Sequence, residues 1–361
     1  MMTVRGYAWV LEAPKTPLVR VDRTWGDPPD GAVLLEVLGC GVCHTDLGFA
    51  DGDVAPRAPL PLVLGHEVVG RVLAMGAGVR GDLAGKRVLA PAVSPCGVCR
   101  ACKSGRATAC PKGLMPGNDA DGGFASHVVV PGRDVVALDD APGLSGPIGA
   151  AGLEAWEIAP VADAATTAYQ AVVRAGLAAG DVAVFVGAGG VGGFGAQIAH
   201  ALGAKVVAID VSPARLEALG DAVDERIDAR GQTSKDLRNV IRARRKAWGA
   251  TDAPLRVFET SGTTAGQETA FDLLDRGGSL SVVGYTRDKV SVRLSNVMAL
   301  DAEIFGNWGC APELYAGVVD LVLSGKVAVR SFVERRPMDD VNAVLDAVRA
   351  HAMSKRAVLV P

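Results

Sequence analysis

The sequence predicts an α/β protein in two parts: a strand-dominated domain and a doubly wound parallel sheet. Three observations carry this. Strand-like runs separated by Gly and Pro turns fill the first third; short apolar runs then alternate with helical segments from Asp163 to Phe305; and a Gly-rich turn directly follows one of those runs. A length of 361 residues suggests two domains and is ample for a large core.

Val33–Leu38, Val68–Val79 and Lys86–Val93 are β-rich, and Phe124–Val130 and Asp134–Ala137 continue the pattern. Near Ala151 the composition changes. Asp163–Ala175 is Ala-rich and predicts a helix. The alternation that follows predicts strands at Val182–Val186, Val206–Ile209, Glu225–Asp228, Pro254–Glu259, Ser279–Val283 and Ala302–Phe305. Helices are expected between them at Gly190–Leu202, Ser234–Trp248 and Ala265–Asp275. Six strands complete a doubly wound sheet. Pro337–Pro361 reads as a helix and then a strand.

Composition excludes several classes of function. Lys plus Arg number 37 against 40 Asp plus Glu, a net charge of −3, which argues against binding nucleic acid or an anionic membrane by bulk electrostatics. The longest stretch without a charged side chain, Val182–Ala204, has 23 residues, but seven are Gly, so it is not a membrane span. No secretory signal opens the chain, and the expected location is cytoplasmic.

Seven cysteines in uneven clusters do not resemble a disulfide framework. Four form Cys96-x2-Cys99-x2-Cys102-x7-Cys110, a spacing that lets four thiolates close a tetrahedron on zinc. Four thiolates leave no open position, so the expected role is structural, in a lobe over residues 94–112. The alternatives are four unrelated thiols or a zinc ribbon that reads nucleic acid; Arg100, Lys103, Arg106 and Lys112 are too few cations to favour the ribbon. A second set is Cys43-His44-Thr45-Asp46 with Gly65-His66-Glu67 following 23 residues after Cys43. One Cys, one His and a nearby carboxylate are the donors zinc takes when a position must stay open. Asp46 is placed to hold the far nitrogen of His66. On spacing alone a buried Cys beside an unrelated His reads equally well, and a third ligand is needed.

Val182–Val186 runs into Gly187-Ala188-Gly189-Gly190-Val191-Gly192, a helix follows, and the next strand ends on Asp210. This is the dinucleotide fingerprint in its strand–turn–helix–strand context. Gly187 permits the tight turn, Gly189 lets backbone amides approach a pyrophosphate, and Gly192 allows close packing. Gly190 and Val191 open the helix whose N-terminus faces the phosphates. Asp210 would accept from the adenosine ribose hydroxyls and repel a 2′-phosphate, favouring NAD over NADP. Arg242, Arg244, Arg245 and Lys246 form a small basic run, read as a solvated face or a contact for an anionic ligand tail.

Taken in order, Cys43-His44-Thr45-Asp46, Gly65-His66-Glu67 with Gly70, the four-Cys lobe and the Gly fingerprint resemble the zinc-dependent alcohol dehydrogenases of the medium-chain dehydrogenase/reductase family, over essentially the whole chain. The resemblance implies a GroES-like β-barrel catalytic domain (1–155 and 299–361, including the zinc lobe) and a Rossmann domain at 156–298. It also implies two zinc ions and NAD as cofactors, and a homodimer or homotetramer joined through the nucleotide domains. Many members carry a Cys where this chain has Asp163; carboxylate is a competent zinc donor, so the implied catalytic set is Cys43, His66 and Asp163, with capping of the next helix as the other reading of Asp163. Thr45 matches the family's proton-relay hydroxyl, His44 the position that contacts the pyrophosphate, and Glu67 the carboxylate that approaches zinc during ligand exchange. Relatives with a His five residues after the zinc Cys contrast with Gly48 here, so proton release goes through water or His44.

The implied activity is oxidation of an alcohol to a ketone with hydride passing to NAD. Pro91-Ala92-Val93-Ser94-Pro95 has no aromatic to narrow the pocket, which suggests a substrate larger than ethanol. The run Gly117–His127 resembles the 6-hydroxycyclohex-1-ene-1-carbonyl-CoA dehydrogenases of anaerobic benzoyl-CoA degradation, implying a cyclic allylic alcohol carried on a CoA thioester. Alternatives are a broad-range zinc dehydrogenase for cyclic or aromatic alcohols, a zinc-free quinone or enoyl reductase, and a non-catalytic binding protein.

Overall fold

The computed structural model describes residues 2–361. The chain forms two compact units. One runs through Asp163 and resumes at Gly309–Gly325 and Val329–Pro361; the other is Ala164–Trp308 with Lys326–Ala328.

The first unit begins with a hairpin that the strand pattern did not reveal, β1 (Val4–Leu11) on β2 (Val19–Trp25). Its β1 burial does not alternate cleanly, so no period-2 signal stands out. Next come β3 (Ala32–Gly41), β4 (Leu62–Val63), β5 (Glu67–Met75), β6 (Arg87–Ala90), β7 (His127–Pro131) and β8 (Val136–Ala137). Four of these, β5 to β8, are shorter than expected. β5 ends at Met75, just before the chain turns at Ala77 and Gly78, where Gly78 takes φ of +79°. Phe124–Ser126 is not part of β7; it bonds across to Tyr7 and Trp9.

The second unit holds β9 (Val182–Val186), β10 (Lys205–Asp210), β11 (Glu225–Asp228), β12 (Leu255–Glu259), β13 (Ser279–Val282) and β14 (Glu303–Gly306). All are parallel, in the order β11-β10-β9-β12-β13-β14. Strand order reverses between β9 and β12, the place where such sheets open a crevice for ligands. Val182, Val184, Val207, Ile209 and Val257 form its buried centre. After this unit the chain returns to the first with β15 (Val333–Pro337) and β16 (Arg356–Val360). They complete a sheet in the order β15-β16-β3-β5-β6-β8, with β7 also paired to β3; β4 joins β1 in a separate three-stranded sheet. The fold is therefore α/β, a GroES-like barrel domain and a Rossmann domain.

Both boundaries lie beyond the expected 155/156 and 298/299. The 3-10 helix Ala155–Ala162 is fully buried at Ile158, Ala159 and Val161 and packs on β3 and β5, which keeps it in the first unit. At the other end, β14 pairs with β13 and holds the second unit together past residue 298. Among the described residues no helix is long and apolar enough to cross a membrane.

Candidate active site

Cys43 immediately precedes helix His44–Ala50 and has extended backbone; its N–H donates to Asp46 Oδ2 at 2.9 Å. The other oxygen of Asp46 accepts from Gly65 N–H at 3.1 Å and lies 3.2 Å from His66 Nδ1. One fully buried carboxylate thus ties the helix carrying Cys43 to the segment delivering His66. With Nδ1–H donating to Asp46, the lone pair on His66 Nε2 faces the opposite way. There it lies 3.5 Å from Asp163 Oδ2, and that oxygen is 3.8 Å from Cys43 Sγ. Asp163 comes from a distant segment, directly after the buried Ala155–Ala162 turn.

Donor atoms of Cys43, His66, Glu67 and Asp163 all lie within 4.8 Å of one another. His66 Nε2 and Glu67 Oε2 are buried without a hydrogen-bond partner, which is what an acceptor aimed at a cation looks like. Burial by itself would depress the His66 pKa, yet the carboxylates of Asp46 and Asp163 outweigh it and raise it well above the ordinary value. That field favours positive charge at this point, whether a proton or a metal ion. A soft thiolate, an imidazole and a carboxylate fit zinc.

Glu67 begins β5 and is fully buried, and burial pushes its carboxyl pKa up. Its Oε1 pairs with the guanidinium of Arg356, a partner that sequence reasoning missed. The ladder explains the meeting: Glu67 lies across from Gly41 on β3, and Gly41 across from Val358 on β16. Only the register of the last strand could have shown it. Gly41 leaves the room, since a Cβ there would lie 2.0 Å from Glu67 Oε2. Gly65 has φ of +96°, and a Cβ on it would strike Phe124 and Cys40 at 2.6 and 2.8 Å.

Thr45 and His44 occupy the exposed first turn of the helix, with Thr45 Oγ1 3.7 Å from Cys43 Sγ. At Gly48 a Cβ would meet open space.

Cys96, Cys99, Cys102 and Cys110 are unpaired thiols brought to one point. Three of their Sγ–Sγ separations are 3.5, 3.7 and 4.0 Å. Zn–S bonds of about 2.3 Å at tetrahedral angles set sulfurs about 3.8 Å apart, so the spacing fits a zinc ion. Backbone amides of Val98 and Cys99 lower the Cys96 thiol to about 6, toward the thiolate that a metal needs. The lobe has little core of its own: Val98 is 71% exposed and the helix Arg100–Lys103 buries no residue.

In the second unit the turn Gly187–Gly192 joins β9 to helix Gly190–Ala201. Gly187 has φ of +101°, and a Cβ on it would lie 2.6 Å from Ser261 N. A Cβ on Gly192 would lie 1.9 Å from Gly187 O. At Gly189 a Cβ meets no protein atom within 4 Å, so the turn leaves open space where a pyrophosphate would approach. Asp210 ends β10 and is buried; its oxygens accept from Ala188 N–H at 2.7 Å and Ser212 N–H at 2.8 Å. The carboxylate therefore braces the turn, a role that spacing did not reveal. The basic run is largely engaged locally: Arg244 pairs with Glu225 at 2.5 Å and Arg245 with Asp275 at 2.6 Å. Arg244 is half exposed in this pairing, whereas Arg245 is largely buried.

Comparison with known proteins shows which family the chain resembles. Residues 29–140 match the model of the alcohol dehydrogenase GroES-like domain, and residues 190–324 that of the zinc-binding dehydrogenases. An alcohol dehydrogenase of Geobacillus stearothermophilus is 30% identical over 341 residues, covering 91% of each chain. The crystal structure of the alcohol dehydrogenase from Aeropyrum pernix superposes with a TM-score of 0.83 at 30% identity, covering 98% of this chain and 100% of that one. An alcohol dehydrogenase structure from Thermotoga maritima gives 0.87 at 26% identity, covering 99% and 100%.

Proposed function

Because the chain belongs to the zinc-binding, medium-chain alcohol dehydrogenase family, an oxidoreductase family using zinc and NAD, we propose that it oxidises a ring-borne secondary alcohol to the ketone with NAD as hydride acceptor. The observation that carries this reading is the convergence of Cys43, His66 and Asp163 around the orphaned Nε2 of His66. These three residues would hold the catalytic zinc, and the four-Cys lobe a second, structural one. Bound there, the catalytic ion would supply Lewis-acid chemistry and lower the pKa of the substrate hydroxyl.

The chain's own residues do the rest. Asp46 fixes the His66 tautomer and holds the Cys43 and Gly65 backbone in register. Thr45 Oγ1, beside Cys43, takes the hydroxyl proton, and with Gly48 in place of a relay imidazole that proton leaves through solvent or His44. Arg356 keeps the Glu67 carboxylate paired on one oxygen while the other lies against Gly41. In the second unit, Gly189, Gly190 and Val191 present backbone amides to the pyrophosphate and Asp210 receives the adenosine ribose.

The substrate we propose is a cyclic allylic alcohol, 6-hydroxycyclohex-1-ene-1-carbonyl-CoA. Its support is the small pair Ala92 and Val93 in a segment without an aromatic. The Gly117–His127 run lends less than its likeness to that subgroup suggests, because its glycines also have a packing duty: Cβ atoms on Gly117 and Gly122 would lie 2.7 and 2.2 Å from the backbone of Gly65. The subunit arrangement we propose is a homodimer or homotetramer. β14 is an edge strand beside the exposed Leu294, Met298 and Ile304, an apolar surface suited to a second copy.

The test is NAD-dependent oxidation of 6-hydroxycyclohex-1-ene-1-carbonyl-CoA beside free 2-cyclohexenol. A kcat/KM preference for the thioester of at least ~100-fold is expected, since remote binding energy lowers the barrier as well as KM. Equal rates would leave a broad cyclic-alcohol dehydrogenase and remove the CoA assignment.

A further inference from the structure

The fingerprint turn is held from both neighbours of β9. On the β10 side, Asp210 accepts the Ala188 N–H. On the β12 side, the Thr260 hydroxyl lies 2.7 Å from Gly187 O and 3.1 Å from Val186 O, and its single proton goes to one of them. Thr260 N–H donates to Val186 O at 2.9 Å, so both its backbone and its side chain grip the end of β9. The third fingerprint glycine packs on this contact: a Cβ on Gly192 would lie 1.9 Å from Gly187 O and 2.5 Å from Thr260 Oγ1.

Thr260 is itself held. Glu259, fully buried, accepts on Oε1 from Ser261 N–H at 2.8 Å, Ser261 Oγ–H at 2.6 Å and Gly262 N–H at 3.1 Å. Its main-chain carbonyl accepts from Val283 and Gly284, at the end of β13. The loop after β12 is thereby fixed against β13, and Thr260 projects from it at the point where strand order reverses. Glu259 Oε2 has no hydrogen-bond partner and is shut in by Gly284, on which a Cβ would lie 2.6 Å away.

We propose that Thr260 is a positioning residue for the dinucleotide: its hydroxyl fixes the Gly187 carbonyl, and with it the direction of the amides from Gly189 to Val191 that meet the pyrophosphate. Glu259 sets the loop from which Thr260 acts. The inference rests on the reading of this turn as the NAD site. It places a determinant of cofactor affinity some seventy residues beyond the fingerprint.

Thr260→Val is nearly isosteric; it removes the hydrogen bond and sets a methyl group against the Gly187 carbonyl, so Thr260→Ala, which adds no such contact, is measured beside it. Losing one such bond should raise the NADH Kd about tenfold. Because the effect lies in binding, KM for NAD should rise while kcat at saturation changes less than about twofold. Thr260→Ser, which restores the hydroxyl, should return Kd to the wild-type value, and a residue serving only the fold would not give that pattern. Direct titration of the wild type with NADH comes first; no binding there would bring down the functional reading itself. If the wild type binds and Thr260→Val binds equally well, only the positioning role falls. It falls as well if Thr260→Ser is as weak as Thr260→Val, because the methyl packing would then be responsible. If the Thr260→Val protein does not fold, Thr260→Ala decides alone, with the same outcomes.

Discussion

Replacing Cys43 by Ala is expected to lower kcat at least ~10⁴-fold while NADH binding and the circular-dichroism spectrum stay at wild-type values, since metal-ion catalysis supplies several kcal/mol and each 1.36 kcal/mol is tenfold in rate. Cys43 is the only thiol in its donor cluster; without it an imidazole and carboxylates remain, a harder and looser set. The fold should tolerate the change. Helix His44–Ala50 is secured by the Asp46 carboxylate, whose bonds go to the Cys43 backbone, Gly65 and His66 rather than to the sulfur. Zinc content should fall from about two ions per chain to about one, as expected when one of two independent sites loses a donor. Activity surviving in this variant would remove Cys43 from the reaction.

Cys99→Ser should do the reverse. Cys99 Sγ lies within 3.7 Å of both Cys102 and Cys110, so its loss opens the tetrahedron. The lobe has few buried side chains to fall back on, and for such segments metal binding is folding free energy. An apparent Tm lower by ~5 °C, corresponding to roughly 3–4 kcal/mol in a chain of this size, is expected, with one zinc lost. Residual folded enzyme should keep its kcat. Differential scanning calorimetry with metal analysis checks it, and an unchanged Tm in a variant that has lost one zinc would show that the lobe needs no metal. The two variants separate the sites: one removes turnover and spares stability, the other removes stability and spares turnover.

Much of this was legible in the residues because the relevant signals are local. Gly187 to Gly192 after five apolar residues, and four cysteines within fifteen positions, carry their chemistry in spacing alone. The Rossmann strands were legible for a related reason. Parallel strands buried on both faces read as continuous apolar runs, and Val182–Val186, buried at every residue, ends where expected. What escaped was set by long-range register. Arg356 reaches Glu67 only through β16, β3 and β5, and Thr260 reaches Gly187 only because β12 lies beside β9. The hairpin of β1 and β2 escaped because burial in β1 follows no clean alternation, and β2, which does alternate, places the charged Arg23 on its half-buried face. Asp163 sits between these cases: nothing in its neighbourhood marks it as a donor, and family resemblance singled it out before geometry placed it 3.5 Å from His66 Nε2.

The most direct measurement is alcohol-dependent NADH formation by protein stripped of its more labile zinc with a chelator, before and after zinc is returned. Activity should vanish with the metal and come back with it, while NADH binding by the stripped protein persists. Full turnover in protein shown by metal analysis to lack zinc at the Cys43 cluster would contradict the zinc-dependent mechanism.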